Sequence, residues 1–238
     1  MHEPENFEGS GLKEVMVLAS GGLESTTLLY YLKSQGVKVH MVFIDYGQKF
    51  NAQEHMRVTA LASAVKAESF TPVFFDEFAT LFTKCALTDD GRKLAVPKGE
   101  YGLEEWKTTL IPNRNMVLIS IGLAVAIEKE CQAVAYGASQ NIGSFENFPD
   151  SRPVFADAMN VLASLCHTSK LELLAPFKRI TKTDVVRWGL KHSVPYELTW
   201  SCWEGGEIPC GSCGQCLSRA KAFHQIGRLD PALGFDIV

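Results

Sequence analysis

The chain of 238 residues contains no apolar run near the roughly 18–20 residues of a membrane span, so no membrane-spanning helix is expected. Residues 1–11 lack the hydrophobic stretch of a secretion signal, and residues 1–13 read as a flexible leader. Basic charge is not in excess. The 23 lysines and arginines face 27 aspartates and glutamates, and the net charge of -4 gives no basis for stable nucleic-acid binding. No internal repeat, low-complexity tract or linker divides the sequence. No Gly-Lys-Ser/Thr follows a glycine turn, which excludes the usual mononucleotide-binding P-loop. With neither signal nor span, the cytoplasm is the expected compartment. There the seven cysteines are not expected to form disulfides.

What is present is an ordinary globular balance, 46% hydrophobic and 21% charged, in a length suited to one large α/β domain or one with an extension. The organising stretch is residues 15–32. Residues 15–19 are apolar and partly β-branched, as in a buried strand. Ser20-Gly21-Gly22 makes a turn, and Leu28, Leu29 and Leu32 then repeat as one helical face. Ser25, Thr26 and Thr27 fall where hydroxyls can cap the helix. Glycines before a helix let free amides approach an anion, and the helix dipole favours phosphate there.

Further strands are expected at residues 37–44, 69–75, 133–137 and 171–174. Helices are expected at 52–65, 116–128, 153–165 and from Thr181, with Thr181 as cap. This alternation predicts a doubly wound parallel sheet with right-handed crossovers. Ligands of such sheets sit beyond the carboxyl ends of the strands, which puts Asp45, Tyr46 and Gln48 beside the first loop. Residues 88–102 and 138–152 read as polar loops. Arg114 and Asn115 open a strongly apolar helix, leaving a functional and a structural reading of Arg114 open.

Cys202, Cys210, Cys213 and Cys216 form the second strong signal. Four thiolates at this spacing can close a tetrahedral structural zinc site, which the spacing favours over an iron–sulfur cluster or unligated thiols. Cys85, Cys131 and Cys166 stand singly and are expected to pack in the core.

The pieces Ser20-Gly-Gly-Leu-Glu-Ser-Thr-Thr27, Asp45-Tyr-Gly-Gln-Lys49, Pro112-Asn-Arg-Asn115, Phe148-Pro-Asp-Ser-Arg-Pro153, Lys182 and Glu197-Leu-Thr-Trp-Ser-Cys202 together resemble the 7-cyano-7-deazaguanine synthase family (QueC). The resemblance covers nearly the whole chain after the leader. It implies the PP-loop (adenine nucleotide alpha hydrolase-like) fold in residues 1–199, with a four-cysteine zinc-binding extension in 200–238 packed on the same domain. It implies ATP with Mg²⁺ as co-substrate, a 7-deazaguanine substrate, ammonia or another amine as acceptor, and a homodimer. Leu18, Ala19, Ser20, Gly21, Gly22, Leu23, Glu24, Ser25, Thr26, Asp45, Tyr46 and Gln48 would bind ATP. Ser20, Ser25, Lys182 and Arg114 would act in catalysis. Asn115, Gly137, Phe148, Asp150 and Arg152 would hold the base.

Members of that family adenylate a carboxylate, amidate it with ammonia and dehydrate the amide to a nitrile. Several positions depart from the family pattern: Glu24 stands for Asp, Phe50 for His, Asn113 for Gly and Ser151 for Cys, and the loop 139–148 differs. Two other readings therefore stand beside nitrile formation. One is a relative from an antiphage-defence cluster that passes the activated acyl group to another amine, such as a protein amino group. The other is a non-enzymatic nucleotide-binding module.

Overall fold

The computed structural model describes residues 3–7, 9–88, 94–99, 103–140 and 148–234. Five strands form one sheet: β1 (Glu14–Leu18), β2 (Lys38–Asp45), β3 (Ser69–Phe74), β4 (Ala133–Ala135) and β5 (Glu172–Leu174). Every pairing is parallel and the order is β3-β2-β1-β4-β5. The chain therefore leaves β1 in one direction through β2 and β3, and returns to the other side with β4 and β5. The β1–β4 pair is the switch point, and a crevice opens beyond the carboxyl ends of these two strands.

The helices are α1 (Leu23–Ser34), α2 (Asn51–Ala64), α3 (Leu103–Lys107), α4 (Arg114–Glu128), α5 (Pro153–Leu165), α6 (Lys182–Lys191) and α7 (Gly214–His224). Side chains alternate across the sheet, so each strand feeds two cores. Val15, Val17, Val39, Met41 and Phe43 pack with Leu28, Leu32, Val58, Leu61, Val185 and Val186 from α1, α2 and α6. Met16, Val42, Ile44 and Val134 pack on the opposite side with Ile119, Leu123, Ala156 and Met159 from α4 and α5. Both faces are covered, which is why the strands read as continuous apolar runs.

Two local expectations differ from what is seen. The first helix begins at Leu23 with Gly22 as its cap, and no side chain caps it. Ser25 and Thr27 therefore lie inside the first turns and donate to the carbonyls of Gly22 and Leu23 at 3.2 and 2.8 Å. The first-turn amides are left for an anion. Cys85 and Cys131 are buried as expected, but Cys166 is exposed, because it falls just past the end of α5.

Thr181 caps α6 by accepting from the Asp184 N–H at 3.1 Å. Within the segment read as a leader, the Glu5 carbonyl accepts from the Tyr31 hydroxyl at 2.5 Å. Of the two polar loops, residues 89–93, 100–102 and 141–147 lie outside the described residues. No helix among the described residues is long and apolar enough to cross a membrane.

Candidate active site and four-cysteine centre

A cavity opens at the carboxyl ends of the strands, over the switch point. Leu18, Ala19, Ser20, Gly22, Glu24 and Ser25 line one side of it. The Ser20 and Ser25 hydroxyls lie 3.2 Å apart, and Ser20 Oγ accepts from the Gly22 N–H at 3.3 Å. Gly21 has φ +73° and sits against α2, where a Cβ would come within 3.2 Å of Arg57 Cβ and of the Glu54 carbonyl. Only glycine adopts this turn without strain. Leu23 and Thr26 point into the protein and are fully buried, holding the loop from behind.

Lys182, at the start of α6, reaches the same cavity and is 7% exposed. Its ammonium lies 3.1 Å from the Glu24 carboxylate and donates to Gln215 Oε1 at 3.2 Å. The same Glu24 oxygen accepts from Ser139 Oγ at 3.1 Å. Glu24, read from sequence as an ATP ligand, is thus in the cavity wall and paired with a cation.

Tyr46 and Arg114 form the side nearest β2, where Arg114 Nε donates to Asn115 Oδ1 at 3.2 Å. Burial pushes the Tyr46 phenol up to about 12. Asp45 and Gln48 do not line the cavity. The Asp45 carboxylate accepts from the Gly47 N–H at 3.0 Å and from Asn51 Nδ2 at 2.9 Å. Gln48 is fully buried, accepts from the Tyr46 N–H at 2.9 Å and donates to Glu54 Oε2 at 2.9 Å. Both residues shape the turn that presents Tyr46.

Glu54 is a cavity residue that the sequence reading missed. Burial first, with Asp45 adding to it, pushes its carboxyl up to about 8 against the donation from Gln48 and the Arg114 charge. The signal was present in the sequence: Glu54 precedes Val58 by four positions and Leu61 by seven, so it shares the buried face of α2.

Of the residues read as holding a base, Asn115, Gly137 and Phe148 line the cavity. A Cβ on Gly137 would lie 2.9 Å from the carbonyl carbon of Glu24 and from the Ser25 nitrogen, so the segment leaving β4 runs directly against the start of α1. Phe148 packs edge-on against Trp106 with centroids 4.8 Å apart. Asp150 is turned to α4, accepting from the Asn115 N–H at 3.1 Å and so complementing the positive end of that helix. Arg152 stands at the extended residue that starts α5, outside the cavity lining. Phe50, Tyr136, Trp200 and Trp203 complete the walls, and the buried Tyr136 hydroxyl has no hydrogen-bond partner among the described residues.

The four cysteines come together as their spacing suggests. The sulfurs of Cys202, Cys210, Cys213 and Cys216 all lie within 4.8 Å of one another, close enough for one metal ion to bridge. The amides of Cys210 and Cys213 donate to the sulfurs of Cys202 and Cys210, each at 3.3 Å, which favours thiolates. Residues 94–99 cover the turn, with the Gly99 N–H donating to the Ser212 carbonyl at 2.8 Å. The centre is also joined to the cavity: Trp200, two residues before the first ligand, donates its N–H to the Gly21 carbonyl at 2.9 Å.

A family model described as queuosine biosynthesis protein QueC matches residues 14–227. A 7-cyano-7-deazaguanine synthase from Archaeoglobus fulgidus is 41% identical over 223 residues, covering 93% of this chain and 90% of its own. A relative of the same name from Caldicellulosiruptor saccharolyticus is 40% identical over 217 residues, covering 91% and 93%. Among solved structures, NMN synthetase from Francisella tularensis is 12% identical over 94% of this chain and 82% of its own, with a TM-score of 0.49, a likeness too distant to carry function.

Proposed function

The chain belongs to the QueC family, and from that membership we propose that it is an ATP-dependent carbon–nitrogen ligase making 7-cyano-7-deazaguanine. In the first step the carboxylate of 7-carboxy-7-deazaguanine attacks the α-phosphorus of ATP and pyrophosphate leaves. Ammonia then adds to the acyl adenylate carbonyl and AMP leaves, giving the amide. The amide oxygen then attacks the α-phosphorus of a second ATP and pyrophosphate leaves, and loss of AMP and of both amide N–H protons gives the nitrile. The relatives' shared name favours this reading over transfer to a protein amino group and over a non-enzymatic module.

The observation that carries the proposal is one cavity lined by the Ser20–Ser25 loop, Lys182, Arg114 and Asn115. Uncapped first-turn amides and two hydroxyls suit a pyrophosphate leaving group. Lys182 and Arg114 would neutralise charge on phosphate or carboxylate. Phe148 and Phe50 offer faces for a planar base. Four sulfurs leave no open coordination position, so bound zinc would supply structure and no chemistry. Residues 200–238 would then be an extension on the domain of residues 1–199, in a reducing cytoplasm that keeps its thiols free. The exposed apolar side chains of Val154, Val161, Leu162 and Leu165 on α5 would serve a homodimer contact.

Incubating the purified protein with the carboxylated base, ATP, Mg²⁺ and ammonia, with products read by mass spectrometry, tests the reading. The nitrile with AMP and pyrophosphate is expected. No AMP from this mixture would overturn it.

A further inference from the structure

Lys182 and the four-cysteine centre lie on different elements, yet one side chain joins them. Gln215 sits in the first turn of α7 between Cys213 and Cys216, both of which turn their sulfurs toward the metal position. Its own side chain lines the cavity and accepts from the Lys182 ammonium at 3.2 Å. On its other side Lys182 meets Glu24 at 3.1 Å, and Ser139 holds that carboxylate at 3.1 Å. An ammonium has three N–H donors. Two protein acceptors engage two of them and so fix the direction of the third.

We propose that Gln215 is a positioning residue for Lys182, through which the filled four-cysteine site sets how the ammonium faces the phosphate-binding loop. The inference deepens the ATP-site reading above and rests on it. A residue flanked on both sides by metal ligands has little backbone freedom while the metal is bound. When the metal leaves, the turn between Cys213 and Cys216 loosens and Gln215 no longer holds its acceptor in place. Glu24 alone then remains to hold the ammonium, and an ion pair with one partner is free to swing. A displacement of about 1 Å at such a group is enough to matter.

The test is a double-mutant cycle on the affinity for α,β-methylene-ATP with Mg²⁺, measured by calorimetry on metal-loaded protein. Gln215→Met keeps the side-chain length and removes the acceptor. It is expected to weaken analogue binding about tenfold in the Lys182 protein and less than twofold in a Lys182→Ala background. The cobalt(II)-loaded Gln215→Met protein should keep the absorption of four thiolates, showing an intact centre. A structural role for Gln215 alone would weaken binding equally in both backgrounds and would overturn the proposal. So would a Gln215→Met protein that binds the analogue as the unaltered protein does. If the unaltered protein binds no analogue at all, the ATP-site reading falls and the proposal falls with it.

Discussion

The backbone N–H of Trp200 donates to the carbonyl of Gly21 across 2.9 Å, fastening the strap before the first metal ligand to the glycine turn of the first loop. Trp200 is 1% exposed, so this is a buried backbone hydrogen bond and is kept as long as the strap is packed. Metal removal should therefore be felt at the loop. We expect one zinc per chain by elemental analysis, a lower unfolding temperature after chelation and weaker ATP-analogue binding. Iron with a visible charge-transfer band would refute zinc.

Ser20→Ala and Ser25→Ala should each lower AMP formation by about tenfold or more, since each removes a hydroxyl from the proposed pyrophosphate cradle. Their thermal unfolding should barely change. Unchanged AMP release would move the pyrophosphate elsewhere.

Glu54 gives a pH signature. Its carboxyl is raised from 4.5 to about 8 in the folded protein, chiefly by burial. Between those values the unfolded chain has lost a proton that the folded one retains, so this group removes stability as pH rises through that window. Glu54→Gln lacks the effect. Urea denaturation at pH 5, 6.5 and 8 should show the variant gaining on the unaltered protein by up to about 1.4 kcal/mol per pH unit. A gap that stays constant with pH would contradict the raised carboxyl.

Arg219 and Asp230 are an ion pair between α7 and the segment after it, both at most 3% exposed. Arg219 also donates to Thr199 Oγ1 at 2.7 Å and to the Tyr196 carbonyl at 3.0 Å. Asp230→Ala would leave the guanidinium buried without its counter-ion. We expect a loss of about 3–5 kcal/mol in chemical denaturation. A loss below 1 kcal/mol would mean that water reaches the site.

Gly189 in α6 is packed against Tyr196, whose hydroxyl bonds to Thr27 at 2.8 Å. A Cβ at Gly189 would fall 1.9 Å from that hydroxyl oxygen. Gly189→Ala should destabilise by about 2–3 kcal/mol through overpacking, despite the better helix propensity of alanine. An unchanged midpoint in urea would show that Tyr196 can move aside.

Much of the architecture was readable because its signals are local. Residues 15–19 and 37–44 are apolar runs, Thr181 and Asp184 mark a helix start, and four closely spaced cysteines need little but glycine turns to meet. Less is legible where a side chain serves a distant partner. Asp150 reads as a substrate ligand, and its bond to the amide of Asn115, thirty-five positions earlier, has no signal in the sequence. Gln48 reads as a cavity residue, yet its side chain is spent on Tyr46 and Glu54. Gln215 carries no signal of its contact, because Lys182 lies on another helix. α7 is not legible in the sequence, since its first residues, Gly214-Gln215-Cys216, read as metal turn before they read as helix.

Gly137 has a mechanical consequence. With no room for even a methyl group between Gly137, just past β4, and the start of α1, the two sides of the crevice are in backbone contact. They cannot hinge toward each other, because nothing separates them, and packed backbone does not compress. The floor of the cavity is therefore rigid, and whatever narrows it around a bound molecule must be side chains at its rim or segments above the sheet. A wedge at this one position would pry the first loop from Ser139 and so undo the Glu24–Lys182 pairing without touching either residue.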